Sequence, residues 1–163
     1  MLHICKLIPE ESKINLFQTN GVYYKSDPTH ELTMIKIKKE KMNRVFTKYH
    51  IKGLPFDLVI HHFKSVAGEN AHDHPFAFQS IILYGGYTER IYTPTGESYD
   101  VFRAPGSTHT VAADCIHELI DLPKGECWTA ILPQAKTREP GFWKFDEKGP
   151  WFRQWNKRWS RVK

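Results

Sequence analysis

Short runs of alternating or β-branched residues recur along most of this chain, and turn-forming residues separate them. The runs occupy residues 33–38, 54–63, 79–84, 88–92, 99–103, 108–112, 116–122 and 128–132. Each has the length of a strand. Pairs such as Gly85-Gly86 and Pro105-Gly106 lie between the runs and fix φ or tolerate a positive φ. Turns that recur about every ten residues are typical of an antiparallel sandwich or barrel. The sequence therefore predicts an all-β protein.

The length of 163 residues fits one domain with a real core, and 40% hydrophobic with 25% charged residues is a globular balance. We expect a single domain over residues 1–163, with a core at about 33–135 and an aromatic, basic tail at 140–163. No run approaches the roughly 20 apolar residues that span a bilayer. The first residues lack the pattern of a secretory signal. Cys5, Cys115 and Cys127 do not form a disulfide framework, so we expect reduced thiols and a cytoplasmic location.

The tail carries the one clear helix signal. Trp151, Trp155 and Trp159 are spaced at i, i+4 and i+8, which predicts a short C-terminal helix with an aromatic face. We expect that face to pack against the barrel, because large apolar patches rarely stay exposed. The alternative is that it forms a homodimer or partner surface. Basic residues gather at 36–44 and 153–163 but are mixed with apolar ones, so the net charge of +5 does not favour a nucleic-acid partner.

Two histidines in the segment HDHP are the candidate metal ligands. His72 and His74 are two residues apart, so in a strand both imidazoles point to the same face. Neutral imidazole is a suitable ligand for iron, zinc, nickel or manganese. Pro75 restricts His74 to an extended backbone, which supports the strand. The alternative is a strand end at the surface with no ligand role, since a His-x-His pair is a weak signal in a chain with 9 histidines.

The spacing around this pair resembles the first motif of the cupin family. Gln79 and Gly86 stand where cupins have a glutamate and a glycine. The elements HDHP, GGYTE, CWT and GFW also resemble a group of small cupin-like proteins, over roughly residues 58–155. The resemblance implies a double-stranded β-helix, or jelly roll, and a third ligand from a later strand. His109 and His117 are both candidates, and the position of His117 before a final hairpin favours it.

The chain departs from the cupin motif at Gln79. A glutamate would offset part of the charge of the ion, whereas an amide oxygen is a weaker, neutral ligand. Three readings stay open: a site of three histidines, a site with His109 as fourth ligand, and a barrel that binds an organic ligand without metal.

Further polar residues are candidates for substrate contacts or proton transfer. His61 and His62 end one run, so one of them faces the interior. Tyr87 and Glu89 share a face of the next strand, although the pattern does not fix which face. Gln79, His61, Tyr87 and Glu89 are therefore the candidate catalytic residues. Asp73 points away from its neighbours and is expected to accept local backbone hydrogen bonds.

The resemblance and the histidines together suggest a mononuclear metal enzyme acting on a small polar molecule. The resemblance to cupins with three-histidine iron sites implies a dioxygenase-like reaction. An isomerase-like reaction is the alternative. Fe(II) is the first choice of metal, with Zn, Ni or Mn as alternatives. A non-catalytic module that binds or senses a small ligand is the competing hypothesis.

Overall fold

The computed structural model describes residues 16–19, 22–25, 33–66 and 70–162, and every helix or strand within them is a β-strand. The strands are β1 (Leu16–Thr19), β2 (Val22–Lys25), β3 (Thr33–Lys41), β4 (Phe46–Lys52), β5 (Leu58–Phe63), β6 (Phe78–Tyr84), β7 (Tyr87–Tyr92), β8 (Ser98–Arg103), β9 (Thr108–Val111), β10 (Ile116–Asp121), β11 (Cys127–Pro133), β12 (Gly141–Asp146), β13 (Gly149–Gln154) and β14 (Ser160–Arg161). The all-β prediction is confirmed. In this part of the chain no helix is long and apolar enough to cross a membrane.

The strands form three antiparallel sheets. One has eight strands in the order β1-β2-β3-β4-β5-β11-β6-β9, and two have three strands, β10-β7-β8 and β12-β13-β14. From β5 to β11 the chain alternates between the first two sheets: β6, β9 and β11 lie in the large sheet, and β7, β8 and β10 lie in the small one. A segment centred on His72 joins the small sheet by bridging to β10. This alternation is the jelly-roll topology, in which two sheets enclose one core and which cupins share.

Side chains from the two sheets meet in a common core. Phe63, Ile82 and Cys127 reach it from β5, β6 and β11, and Tyr87 and Leu119 reach it from β7 and β10. Because side chains alternate along a strand, residues two positions from these core members point inward as well. The interior is therefore lined by a predictable set of positions on each strand.

The β6–β7 connection depends on glycine. Gly85 has φ of 82°, and a Cβ there would lie 1.9 Å from the carbonyl oxygen of Glu126. A side chain would clash with that backbone, and the positive φ would strain it. The tight passage from one sheet to the other turns Tyr87 and Glu89 into the interior, where they are 4% and 1% exposed.

The predicted C-terminal helix is wrong, because this region forms the β12–β13 hairpin and β14. Residues four apart lie on one face of a helix. They also lie on one face of a strand, because side chains alternate between its two faces. Gly149, with φ of 111°, closes the hairpin. The tryptophans do not form one buried face, since Trp155 is 67% exposed and Trp159 is 37% exposed.

The contacts between the C-terminal sheet and the barrel come from β12 and not from the predicted tryptophan face. The Phe145 ring stacks on Tyr92 of β7, with 4.9 Å between ring centroids. The backbone N–H of Trp143 donates to the carbonyl of Ala71, at 2.8 Å. The third sheet therefore continues from the segment that carries His72.

Candidate metal centre

A short extended segment holds the His72–His74 pair against β10. The backbone N–H of His72 donates to the carbonyl of His117 at 2.9 Å, and the N–H of His117 donates back at 3.0 Å. His72 also bridges to Phe142 of β12, so it lies between two strands. The N–H of His74 donates to Ala113 at 2.9 Å. These bonds fix the backbone at both histidines.

His72, His74 and His117 converge on one point. Their ligand nitrogens all lie within 4.8 Å of one another. The Nε2 atoms of His74 and His117 are 2.8 Å apart, so one of them carries a proton and donates to the other. The Nδ1–H of His72 donates to the carbonyl of Asn70 at 2.8 Å. In the neutral ring Nε2 is then unprotonated, and its lone pair can bind a metal. Transition metals bind imidazole nitrogen at about 2.0–2.1 Å, so small side-chain shifts bring all three nitrogens to one ion.

A buried carboxylate orients His117 from behind. The Nδ1–H of His117 donates to Oε2 of Glu89 at 2.5 Å, and Nε of Arg103 donates to Oε1 at 2.6 Å. Burial alone would raise the pKa of Glu89, but the His117 hydrogen bond and the Arg103 charge outweigh it and lower this pKa. Glu89 is therefore ionised. A carboxylate behind a histidine is the usual arrangement that fixes the tautomer and raises the basicity of a metal ligand.

The two histidines of the HDHP segment are held neutral. Burial, followed by the nearby His117, lowers the pKa of His72 to about 4. The same two causes lower the pKa of His74 well below its usual value. Neutral imidazole is the form that binds metals, so at pH 7 both side chains are in the binding form.

Gln79 lies outside this cluster. Its side chain is exposed on the outer face of β6, while Phe78 and Ser80 on either side are buried. The ring of Phe78 packs edge-on against His74, with 4.8 Å between centroids. The structure therefore does not bring Gln79 to the histidines. The nearest carboxylate is instead that of Glu89, which reaches the cluster through His117.

His109 is close to the cluster but separate from it. Its Nε2 lies 3.2 Å from the hydroxyl of Tyr87 and 3.9 Å from Oε1 of Glu89. Its buried Nδ1 has no partner within the described chain. Burial, followed by the Arg103 charge, lowers the pKa of His109, and burial also raises the pKa of Tyr87. Both groups are therefore neutral and share one hydrogen bond.

His61 is the inward member of its pair, because it shares a face with Phe63 of the core. Its ring meets Phe46 edge-on at 5.0 Å, and burial, followed by the charge of Lys48, lowers its pKa to about 3. His62 is buried on the other face, where it bonds to Glu126 at 2.7 Å. Of the four candidate catalytic residues, His61, Tyr87 and Glu89 face the interior.

The sequence prediction for Asp73 is wrong in its partners. Asp73 accepts hydrogen bonds from the backbone N–H of Gly141 at 2.7 Å, from the Trp143 indole at 2.9 Å and from Arg138 at 2.9 Å. All three partners are distant in sequence. The side chain between the two ligand candidates thus attaches the C-terminal region to the centre.

Arg103 was missed because it stands in a run that showed no feature beyond strand length, and Lys48 was missed because its strand, β4, was not among the predicted runs. A signal for Arg103 was its place opposite Tyr87 in an adjacent strand. Cys115 has a pKa raised to about 11 by burial and lies outside the cluster. Cys115 and Cys127 are free thiols, and Cys5 lies outside the described residues.

No family model matches the chain, and no curated protein matches it. Several solved structures are similar. Hydroxypropylphosphonic acid epoxidase from S. wedmorenis is 9% identical with a TM-score of 0.48, over 60% of this chain and 55% of that one. A DMSP lyase structure is 11% identical with a TM-score of 0.49, over 65% and 60%. A cupin-2 domain from Rhodospirillum rubrum is 16% identical with a TM-score of 0.45, over 77% and 80%.

Structures described as cupin domains are thus among those to which this chain is similar, as the motif resemblance led us to expect. The chain spans less than two thirds of the length of the epoxidase and lyase structures. The assignment of the jelly-roll fold therefore depends on the observed strand order and not on these similarities.

Proposed function

We propose that this jelly roll of the cupin type binds one divalent transition-metal ion through His72, His74 and His117 and acts on a small polar molecule at that ion. The observation that carries the proposal is the convergence of three imidazoles within 4.8 Å, with His117 oriented by the buried Glu89. A chance cluster of histidines would not supply the hydrogen bonds that fix two of the three tautomers.

The donor set fits a metal with open coordination positions. Three nitrogen ligands leave room for water or substrate, whereas structural zinc sites have four closed ligands that commonly include cysteine. Imidazole suits iron, zinc, nickel and manganese, and we place Fe(II) first among them. When bound, the ion would supply Lewis acidity and sites for substrate or oxygen.

The residues around the three histidines would hold protons and orient groups. Glu89 keeps the Nδ1–H of His117 in place, and Arg103 keeps Glu89 ionised. Tyr87 retains its hydroxyl proton because burial and the charge of Glu89 raise its pKa. Tyr87 and His109 share that proton across 3.2 Å beside Glu89, so they form a neutral pair able to donate to or accept from a bound molecule.

A binding or sensing module is the second candidate, and the absence of a carboxylate from the described three-residue cluster favours it. Without a negative ligand the ion keeps its full charge. Such an ion would attract an anionic molecule, as a binding or sensing module requires.

Metal content tests the first half of the proposal. Protein made without a histidine tag, from cells supplied with iron, zinc, nickel and manganese, should carry close to one ion per chain. His74→Ala and His117→Ala each remove one of three ligands and should lose the ion. His50→Ala is the matched control, since His50 bonds to Glu40 at the surface. A wild-type protein without a transition metal would sink the proposal, and loss from His109→Ala but not from His117→Ala would change the ligand set.

Turnover tests the second half. Protein loaded anaerobically with Fe(II) is given oxygen and a panel of thiols, sugars and small keto acids, and consumption is compared with that by His74→Ala. Consumption by the wild type alone supports an enzyme. Tight binding of a molecule that is never consumed supports the binding module.

A further inference from the structure

A second set of polar side chains, on the large sheet, faces the interior of the jelly roll. Lys48 of β4 lies opposite His61 of β5, and His61 lies opposite Thr129 of β11. Residues directly opposite on adjacent strands share one face of a sheet. The three side chains therefore form one row across the large sheet. We name this row Lys48–His61–Thr129 the polar row.

The polar row lies on the inner face. Phe63 and Cys127, two residues along from His61 and Thr129, belong to the core that includes Ile82 of the same sheet and Tyr87 of the opposite one. Lys48 follows the same rule, because Phe46 stacks on Phe63 with 4.4 Å between centroids. Nζ of Lys48 lies 5.4 Å from the centroid of the Phe46 ring. The lysine thus extends over the core side of its strand.

Two members of the polar row lack the partners that buried polar groups normally have. Thr129 is 1% exposed, and its Oγ1 has no hydrogen-bond partner in the described chain. Lys48 is half-buried, and no ion pair or hydrogen bond to its Nζ occurs within residues 33–66 and 70–162. The carboxylate opposite it, Glu40, is bound by His50 at 2.7 Å. Unpaired buried polar groups cost free energy, so each calls for an explanation, and a bound partner is one that fits a row of this kind.

The polar row and the candidate metal centre line the same interior. Thr129 lies opposite Ile82 of β6, and Phe78, which shares the inward face of that strand, packs against His74 with 4.8 Å between ring centroids.

Burial lowers the pKa of Lys48. Both buried carboxylates of the described chain are already paired, Glu89 with Arg103 and His117, and Asp73 with Arg138. The charge of Glu40 raises the pKa of Lys48 in part, but Glu40 bonds to His50, and no carboxylate of the described residues forms an ion pair with Nζ of Lys48.

We propose that the polar row binds the carboxylate of a small organic acid, whose other polar group reaches the ion at His72, His74 and His117; the second clause rests on the proposed function. One carboxylate oxygen pairs with Nζ of Lys48, and the other accepts from the hydroxyl of Thr129 or the neutral ring of His61. One cation with two neutral donors matches a singly charged carboxylate. Phosphate, which is nearly doubly charged at pH 7, generally draws several cationic groups.

Lactate and its uncharged amide, lactamide, are the probes, because they share a shape and differ in charge. Affinities are measured by calorimetry on metal-loaded protein and on protein stripped with a chelator. Wild-type protein should bind lactate at least about tenfold more tightly than lactamide in both forms, the strength expected of a charge-assisted contact. Lys48→Met should weaken lactate binding about tenfold or more and abolish this preference, whereas Lys48→Arg should retain it.

Two further variants locate the contact. Thr129→Val keeps the shape but removes the hydroxyl, and should weaken lactate binding by about threefold or more. Lys39→Met is the matched control: Lys39 lies over the ring of Tyr49, which alternates with Lys48 along β4 and so faces outward. Lactate affinity should not change in it. The melting temperature of Lys48→Met should not fall, because the change removes a half-buried charge that has no described ion-pair partner.

The outcomes separate this inference from the proposed function. Equal binding of lactate and lactamide, no measurable lactate binding, or an unchanged preference in Lys48→Met would overturn the inference, even if the wild type holds its metal. Wild-type protein without metal would overturn the proposed function. In that case, the preference of the metal-stripped protein for lactate over lactamide would still test whether the polar row binds a carboxylate.

Discussion

The interior of the jelly roll and the C-terminal sheet use cationic side chains in opposite ways. Inside, Arg103 donates to the buried Glu89, which in turn fixes His117, and each contact is a directed hydrogen bond. In the C-terminal sheet, the exposed Lys144 and the part-buried Arg153 lie over aromatic rings at 5.0–5.2 Å. Directed buried bonds specify one geometry and are costly to break, whereas exposed cation–π contacts contribute about 0.5–1 kcal/mol and tolerate change. The two regions should therefore respond very differently to substitution.

Asp73→Ala should have the largest effect, because Asp73 is where the two regions meet. The change leaves the buried N–H of Gly141, the Trp143 indole and Arg138 without their acceptor. We expect a loss of about 3–5 kcal/mol in the free energy of unfolding, measured by urea denaturation. Asp57→Ala is the control, since Asp57 makes an exposed pair with Lys52 and should cost less than about 1 kcal/mol. Similar values for the two variants would mean that the regions are not attached through Asp73.

Glu89→Gln should weaken metal binding about 10–100-fold, or about 1.4–2.7 kcal/mol. The amide is nearly the same shape, but it cannot be ionised behind His117. Competition with a metallochromic dye measures the affinity. Glu118→Gln, on the strand paired with β7, is the matched control, because the Glu118 side chain alternates with His117, points to the opposite face of β10 and bonds to Tyr92. An unchanged affinity in Glu89→Gln would remove Glu89 from the centre.

The metal-free protein should lose stability as the pH falls below about 6.5. His61 and His72, with pKa values lowered by burial to about 3 and about 4, stay neutral in the folded state. In the unfolded chain both take up a proton near pH 6.5, so the unfolded state binds more protons and gains from acid. Each contributes up to about 1.4 kcal/mol per pH unit.

Urea unfolding at pH 7, 6 and 5 measures this slope. His61→Phe should reduce this slope by the contribution of one histidine. Phenylalanine fills the space between Phe46 and Phe63 but has no group that titrates. A slope that is the same in the variant and the wild type would show that His61 is not held neutral.

Trp155→Ala should have the smallest effect, about 0.5 kcal/mol or less in the free energy of unfolding. The Trp155 side chain is 67% exposed, and its ring meets Phe142 at 5.7 Å. Metal affinity should not change. A cost above about 2 kcal/mol would show that the exposed aromatic residues stabilise the fold as the interior does.

The strand pattern predicted the fold and the pair His72 and His74 because both depend on alternation, which is a local property of the chain. His117 was identified only through a resemblance, and the structure brings it rather than His109 to the cluster. The direction of Glu89 could not be predicted, because the β7 run has polar and apolar residues on both faces. The turn at Gly85 determines which face of β7 points inward, and so places Glu89 in the interior.

The errors have a common cause in contacts that are distant in sequence. Gln79 matched a motif position, yet the pleat of β6 turns it outward and Phe78 inward. The tryptophan spacing fits a helix and a strand equally, and only pairing with β12 decides between them. The partners of Asp73 lie about seventy residues along the chain, where no local signal could indicate them.

The bridge of His72 to both β10 and β12 also sets an order of assembly during synthesis. The segment that carries two of the three imidazoles leaves the ribosome early, but the strands that border it are made later, and β12 is the last of them. A nascent chain that ends before Gly141 exposes one edge of this segment and lacks two of the groups that donate hydrogen bonds to Asp73. The segment therefore gains all of its backbone pairing only after synthesis has passed β12.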